Sequence, residues 1–315
     1  MKKQLRSIFA PKLPFLENTQ VHTSSVSLIS DLKEVTKVRL AISVVFSSVA
    51  GYFLGAESID LLTVIMLSIG GYCLVGASNA YNQILEKDLD LLMKRTRNRP
   101  VPSGRMTVNT AFFIASSLTV TGLIILYLIN PKTAMFGAIS IFLYVSVYTP
   151  LKTKTPLSVF VGAFPGAIPF MLGWVAATGN FGIEPGTLFM IQFFWQFPHF
   201  WALGWWLYDD YAKGGFFMLP TGKRDKGTAV QIVLYTVWTV IVSLIPVTGM
   251  TGALYITPLS AVLVFILGLG MLYYAVQLYR NRDERSAKKL MFASVSYITL
   301  LQIIYVLDKL IRIWI

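Results

Sequence analysis

The chain is poor in the groups on which most soluble enzymes rely. It holds one cysteine, Cys73, in 315 residues, so no disulfide closes within it and no cysteine-based metal site exists. Cys73 lies inside an apolar run and reads as a small packing residue. There are two histidines, His22 in the N-terminal region and His199. Charged residues make up 13% of the chain, about half the share of an ordinary soluble domain. Acids are the scarcer sign, 15 against 27 Lys and Arg. The sequence contains no Walker A glycine loop, no HExxH and no GxSxG, which removes P-loop, zinc-protease and serine-hydrolase chemistry. Nothing marks an internal serine nucleophile, so charge stabilisation is a simpler expectation than covalent catalysis.

What fills the chain instead is apolar: 55% of it is hydrophobic, in runs of about 20 residues, the length that crosses a bilayer. The expectation is an all-α polytopic membrane protein of about nine transmembrane helices. The spans read as Val38–Gly55, Leu61–Asn82, Thr110–Ile129, Thr133–Tyr148, Leu157–Ala177, Thr187–Tyr208, Ala229–Thr248, Leu259–Leu278 and Leu290–Leu307. Residues 1–36 read as a cytoplasmic N-terminal tail and residues 37–315 as the transmembrane domain.

A net charge of +12 would point to nucleic acid in a soluble protein. Here its distribution gives another cause, and no nucleic-acid partner is expected. The tail and the loops after spans two, four, six and eight hold 24 of the 27 Lys and Arg. The other side keeps Lys132, Lys309 and Arg312. This asymmetry is the positive-inside pattern, which places the N-terminus and the even-numbered loops in the cytoplasm and the C-terminus outside. The N-terminus carries Lys2, Lys3 and Arg6 but only a short apolar stretch before Pro11. It fits neither a secretory signal nor a transit peptide, and favours a bacterial cell membrane over a mitochondrial one.

The segment Asn82–Arg105, NQILEKDLDLLMKRTRNRPVPSGR, packs three acids and six basic residues between two apolar spans. Asn82, Glu86 and Asp90 recur every four residues, and each such step drifts by only about 40° around a helix, so they share one face. Asp88 falls on another. An amide and two carboxylates in a row suit a hard divalent cation such as Mg²⁺, and the arginines downstream suit phosphates. A loop whose charges only set topology accounts for the arginines but not for the acids, which contribute little to orientation. Arg99-Pro100 is expected to end the motif helix, because the residue before proline avoids the helical region.

A second acidic loop, Tyr208-Asp209-Asp210-Tyr211-Ala212-Lys213, follows the sixth span. Alone it reads equally as a plain turn. Four spans separate it from the first, which points to a four-helix unit used twice, with both loops over one cavity. Asp209 and Asp210 would then offer a second cation site, and Lys213, Lys152 and Arg95 would neutralise a diphosphate between them. Gly162, Pro165, Gly166 and Pro169 interrupt the fifth span, allowing close helix contact or a kink. His199, in WQFPHFW at aromatic-rich depth, is as readily a packed residue as a functional one. A transporter with intramembrane acids is the rival from another class, but such sites lie near the midplane, and these acids sit at the edge among arginines. A scaffold without chemistry leaves both acidic clusters unexplained.

Asn82-xxx-Glu86-xxx-Asp90 and the following Met93-Lys94-Arg95-Thr96-Arg97-Asn98-Arg99-Pro100 resemble the first motif of the UbiA superfamily of intramembrane prenyltransferases. Asp90 to Pro100, as DxxMxRTxxRP, is similar to its protohaem IX farnesyltransferase (haem O synthase) branch. So are Tyr148–Thr155, Gly162–Pro169 and Trp195–Gly215. The resemblance runs from about Gly71 to Pro220; the spans beyond add only hydropathy. It implies a helical bundle around a cavity open to lipid. It also implies Mg²⁺-dependent transfer of the farnesyl group of farnesyl diphosphate to a vinyl group of haem B, with water addition, giving haem O. Carried over, Asn82, Glu86 and Asp90 bind Mg²⁺–diphosphate, with Asp209 and Asp210 as the second cluster. Arg95, Arg99, Lys152 and Lys213 hold phosphate oxygens, and His199 lies near the haem. A haem A synthase or an oxidase assembly factor is the implied partner. A sister enzyme with a quinone-precursor acceptor shares the diphosphate site, and the WQFPHFW segment argues against it. Two positions depart from the superfamily pattern: Glu86 stands where Asp is usual, and Lys213 stands where the second motif closes on an acid.

Overall fold

The computed structural model describes residues 27–314. The tail before Ser27, with His22, lies outside the described residues.

Local signals set most helix boundaries. A short helix α1 (Leu28–Val35) starts at Ser27, whose side chain accepts from Ser30 N. After Lys37 come α2 (Val38–Gly55) and α3 (Leu61–Leu85). Asp60 caps α3 by accepting from Leu62 N and Thr63 N, filling donors that the first turn leaves unpaired. A short α4 (Lys87–Leu92) follows directly. Thr107 caps α5 (Val108–Ile129), and Asn130 with Pro131 starts α6 (Pro131–Phe142), proline at the first position having no N–H to waste. The chain then widens into a π-helical turn at Leu143–Tyr148 before α7 (Thr149–Leu151). Next come α8 (Leu157–Thr178), ended by Gly179 at φ 65°, and α9 (Ile183–Trp206). The short α10 (Tyr208–Lys213) precedes α11 (Lys226–Leu244), which Asp225 caps. Finally, α12 (Pro258–Asn281) and α13 (Glu284–Trp314) complete the chain.

Among the described residues there are only helices, turns and loops, and eight helical segments are long and apolar enough to cross a membrane. The ninth long helix, α9, is 24 residues, about 36 Å at 1.5 Å per residue. It is less apolar because Gln192, Gln196 and His199 interrupt it. About nine helices, as the sequence implies, therefore form the bundle. Neighbours pack in the order α3 on α5, α2 on α8, α8 on α9, α9 on α11 and α13, with α13 returning to α2. A Cβ on Gly51 would collide with Phe170 O and one on Gly173 with Ser48 O, so α2 and α8 touch backbone to backbone, as small residues allow in membranes. The two prolines of the fifth span sit inside an unbroken α8. Pro169 has no N–H for the Pro165 carbonyl four residues back; Ser140 Oγ donates to that oxygen instead, at 3.2 Å.

One expectation needs correction. The first motif helix does not run to Arg99-Pro100. It ends at Leu92, where Met93 turns extended at φ −99°, ψ 130°. The cause is a contact from far along the chain, described below. The end of the expected tail also folds: α1 packs on α3, held by Arg105, whose Nε and Nη2 donate to Asp31 and Glu34 at 2.9 and 2.7 Å. Leu28 and Ile29 stay exposed on its outer side.

Candidate active site

The three residues of the first motif do share a face. Glu86 is the joint between α3 and α4, yet its N–H still bonds to Asn82 O at 3.0 Å, and Asp90 N–H to Glu86 O at 2.7 Å. The four-residue register therefore survives the joint. Asn82, Glu86 and Asp90 are buried, and Asp88 is exposed. A bare carboxylate cannot be buried cheaply, and each is paired. Lys152 Nζ donates to Glu86 Oε1 at 2.8 Å, and Arg99 Nη1 to Asp90 Oδ2 at 2.9 Å.

The π-helical turn delivers Lys152. It brings Tyr148 under the ammonium, 4.6 Å from nitrogen to ring centroid, with Phe216 at 5.8 Å. These are cation–π distances. Burial works against the Lys152 charge, but the Glu86 carboxylate outweighs it and holds the pKa above the usual lysine range. Thr149, next to the turn, accepts from Asn82 Nδ2 at 3.5 Å and donates to Tyr144 O at 2.9 Å. Spending its amide N–H there leaves Asn82 an amide oxygen for other work.

The second acidic loop meets the first, as the spacing of four spans implied. Asp210 accepts from Lys94 N at 2.9 Å and Arg95 N at 3.3 Å. It thus caps the turn after α4 and draws the chain out of helix at Met93. Arg95 lies over Tyr211, 5.3 Å from its ring, and donates to its hydroxyl at 3.1 Å. Asp209 is turned away: it is 74% exposed and pairs with Arg224 at 3.4 Å. Lys213 is exposed at the end of α10. Of the ten residues singled out from the sequence, Asn82, Glu86, Asp90, Arg99 and Lys152 form one cluster. Arg95 and Asp210 border it, and Asp209 and Lys213 face outward.

His199 sits elsewhere on α9, facing α13. Its ring stacks on Trp195 at 4.8 Å, and Nδ1 lies 2.8 Å from Ser294 Oγ. The Ser294 hydroxyl gives its one proton to Met291 O at 2.7 Å. With the hydroxyl proton so placed, the pair suits the tautomer protonated at His199 Nδ1, with Nε2 as an acceptor.

Does the cluster fit Mg²⁺? Asp90 Oδ1 is buried with no hydrogen-bond partner, an oxygen waiting for a ligand. Among the described residues no three His, Cys, Asp or Glu side chains converge as a metal cage. Mg²⁺ needs no such cage, being commonly held by one or two carboxylates with substrate phosphates and water completing the shell. The donor set is therefore suited to a cation that arrives with a phosphate.

Two residues here escaped the sequence reading. Arg224 gathers Asp209, Glu284 at 3.0 Å and Trp205 O at 2.9 Å. Lys37, between α1 and α2, has its pKa lowered to about 7 by burial and then by the Arg99 and Lys152 charges. In the sequence it is one of several basic residues of the tail, with only its place at the first apolar run to mark it.

Comparison with known proteins identifies the family. The model of the UbiA prenyltransferase family matches residues 44–297. A protoheme IX farnesyltransferase from Christiangramia forsetii is 75% identical over 300 residues, spanning 95% of this chain and 100% of that one. In fold, a digeranylgeranylglyceryl phosphate synthase superposes with a TM-score of 0.74 at 18% identity, over 89% of this chain and 98% of that one. A UbiA homolog from Archaeoglobus fulgidus, bound to GPP and Mg²⁺, gives 0.65 at 14% identity, over 88% and 99%. With its buried Asn82–Glu86–Asp90 face and a match across most of its length, this chain belongs to the UbiA prenyltransferase family.

Proposed function

We propose that the protein transfers the farnesyl group of farnesyl diphosphate to a vinyl group of haem B, with addition of water, giving haem O. The observation that carries the reading is the buried pairing of Glu86 and Asp90 with Lys152 and Arg99, in a chain 75% identical to a protoheme IX farnesyltransferase. That relative's name gives a farnesyl group and protohaem, an aromatic macrocycle, and the cluster suits the diphosphate of a farnesyl donor.

Asn82, Glu86 and Asp90 would hold Mg²⁺ through their side-chain oxygens. Bound there with the diphosphate, Mg²⁺ supplies positive charge against the leaving oxygens. Lys152 and Arg99 pair with the same oxygens as the allylic C–O bond breaks and negative charge builds on the diphosphate. Tyr148 and Phe216, packed around Lys152, keep water from the allylic carbon. The haem vinyl group, held close, gives its π electrons to that carbon and forms the new C–C bond. The cation left beside the macrocycle takes up water and loses a proton, which yields the hydroxyl of haem O. His199 Nε2 is the acceptor we assign to that proton. Asp210 positions Lys94 and Arg95 at the rim, and Lys213 meets the diphosphate only as it enters. The product would pass to a haem A synthase or an oxidase assembly factor.

The location we infer is the cell membrane, with the site on the cytoplasmic side, because the inner loops and tail hold 24 of the 27 Lys and Arg. The reading is tested by incubating the detergent-solubilised protein with haem B, farnesyl diphosphate and Mg²⁺ in H₂¹⁸O. A haem heavier by a hydroxyfarnesyl group, with the label in its hydroxyl, is the expected product. Prenylation of a quinone precursor with haem left untouched would replace the acceptor.

A further inference from the structure

The corner between α12 and α13 carries more positive charge than its own acids engage. Arg280–Lys289 holds five Lys and Arg against two acids. Asp283 caps α13 by accepting from Ser286 N at 2.7 Å, and Glu284 pairs with Arg224 at 3.0 Å. Lys288 lies over the Trp206 ring, 4.9 Å from its centroid. Arg285 and Lys289 are exposed, and among the described residues no ion pair engages either.

Beside Lys289 a groove of about 460 Å³ opens between α12 and α13. Buried Met271 and Tyr297 form its floor, Lys289 stands at the corner end and Leu300 at the other. Gly270 gives it depth. Glycine inside a helix is unfavourable relative to alanine, and membrane helices keep it where another helix must come close. Gly268 has that reason, since a Cβ there would lie 2.6 Å from Val240 Cγ2 on α11. Gly270 does not: a Cβ there would meet nothing within 4 Å. No protein contact needs its missing side chain, and the space it leaves belongs to the groove. From Lys289 to Leu300 the groove runs about 16 Å along α13 at 1.5 Å per residue, half of a hydrocarbon core of roughly 30 Å. It is an apolar trough one leaflet long with unpaired cations at its head, on the side where the basic loops collect.

We propose that this groove binds an anionic phospholipid of the cytoplasmic leaflet, its phosphate beside Lys289 and Arg285 and one acyl chain lying against Gly270. Cations at the cytoplasmic end of a membrane helix attract anionic head groups, and a zwitterionic lipid would bring its own cation to the same corner and gain less. The groove shares no residue with the cluster of Asn82, Glu86, Asp90, Arg99 and Lys152. The proposal therefore stands whatever acceptor receives the prenyl group.

The test is native mass spectrometry of the full chain, stripped of lipid in detergent and titrated with a phosphatidylglycerol or with a phosphatidylcholine of the same acyl chains. Wild type should bind its first phosphatidylglycerol at least about fivefold more tightly, the gain from one cation near an anionic head group. Lys289→Gln should lose about fivefold for phosphatidylglycerol and nothing for phosphatidylcholine. Gly270→Leu fills the groove with a better helix former and should abolish the preference with Lys289 still in place. Gly270→Ala adds a Cβ in open space and should keep it. Equal affinity for the two lipids in wild type overturns the proposal, as does unchanged binding in both Lys289→Gln and Gly270→Leu. A loss in Lys289→Gln with none in Gly270→Leu also overturns it, since charge alone would then hold the lipid at the surface. Displacement of the bound phosphatidylglycerol by haem B would overturn it too, by making the groove a site for the macrocycle.

Discussion

Glu86 and Lys152 show how one buried pair serves both fold and chemistry. Their side chains are 6% and 11% exposed and 2.8 Å apart. Removing one partner strands the other, at a cost of about 3–5 kcal/mol. Lys152→Met should therefore lower the thermal midpoint in detergent sharply, and Glu86→Gln added to it should recover part of that loss without recovering turnover. A single variant that melts like wild type would show that the pair is not desolvated. The first motif was legible at this scale: four-residue spacing separated Asn82, Glu86 and Asp90 from exposed Asp88. Lys37 and the outward turn of Asp209 were not. Both depend on the tertiary fold, which buries Lys37 near the Arg99 and Lys152 charges and sets Arg224 beside Asp209.

Among elements, the contact between the loops after α3–α4 and α9–α10 decides the shape of the site. Asp210 lies 116 residues from Lys94 in sequence, yet its carboxylate ends the motif helix. Local signals placed the end at Arg99-Pro100, and no local signal reveals a cap from another loop. Where the cap is local, sequence served well: α3 begins at Leu61 as read from hydropathy, capped by Asp60. Asp210→Ala should cost about 1–2 kcal/mol, as loss of a cap does, and raise KM for farnesyl diphosphate by loosening the turn that carries Arg95. Asp209→Ala, at an exposed pair, should change stability by under about 1 kcal/mol. Thermal melts and initial-rate kinetics on the two variants separate them, and equal effects would refute the capping role.

For the whole molecule, the long helices arrange their ends so that the charged loops collect on one side. Eight of the nine long helices among the described residues are strongly apolar, and α9, read as the sixth span, is less so because it carries Gln192, Gln196 and His199. Gln192 Oε1 accepts from Gln302 Nε2 at 3.3 Å, and the same Gln302 amide donates to Ser47 Oγ at 3.1 Å. Polar residues in this helix thus face other helices, where they find partners. The orientation can be read by cysteine labelling, since Cys73 is buried and gives little background. An impermeant maleimide should label Met250→Cys in intact cells and reach Lys223→Cys only after permeabilisation. The reverse pattern would place the diphosphate site outside the cell.

The most direct test of the account is haem product formed by wild type, Glu86→Gln and Asp90→Asn under identical conditions, with haem B, farnesyl diphosphate and Mg²⁺, read by chromatography with mass detection. The account predicts a haem heavier by a hydroxyfarnesyl group from wild type, reduced about a hundredfold or more in both variants, with binding of haem unchanged. Wild-type yield of that haem from either variant would contradict it, because the buried carboxylates would then have no part in releasing the diphosphate.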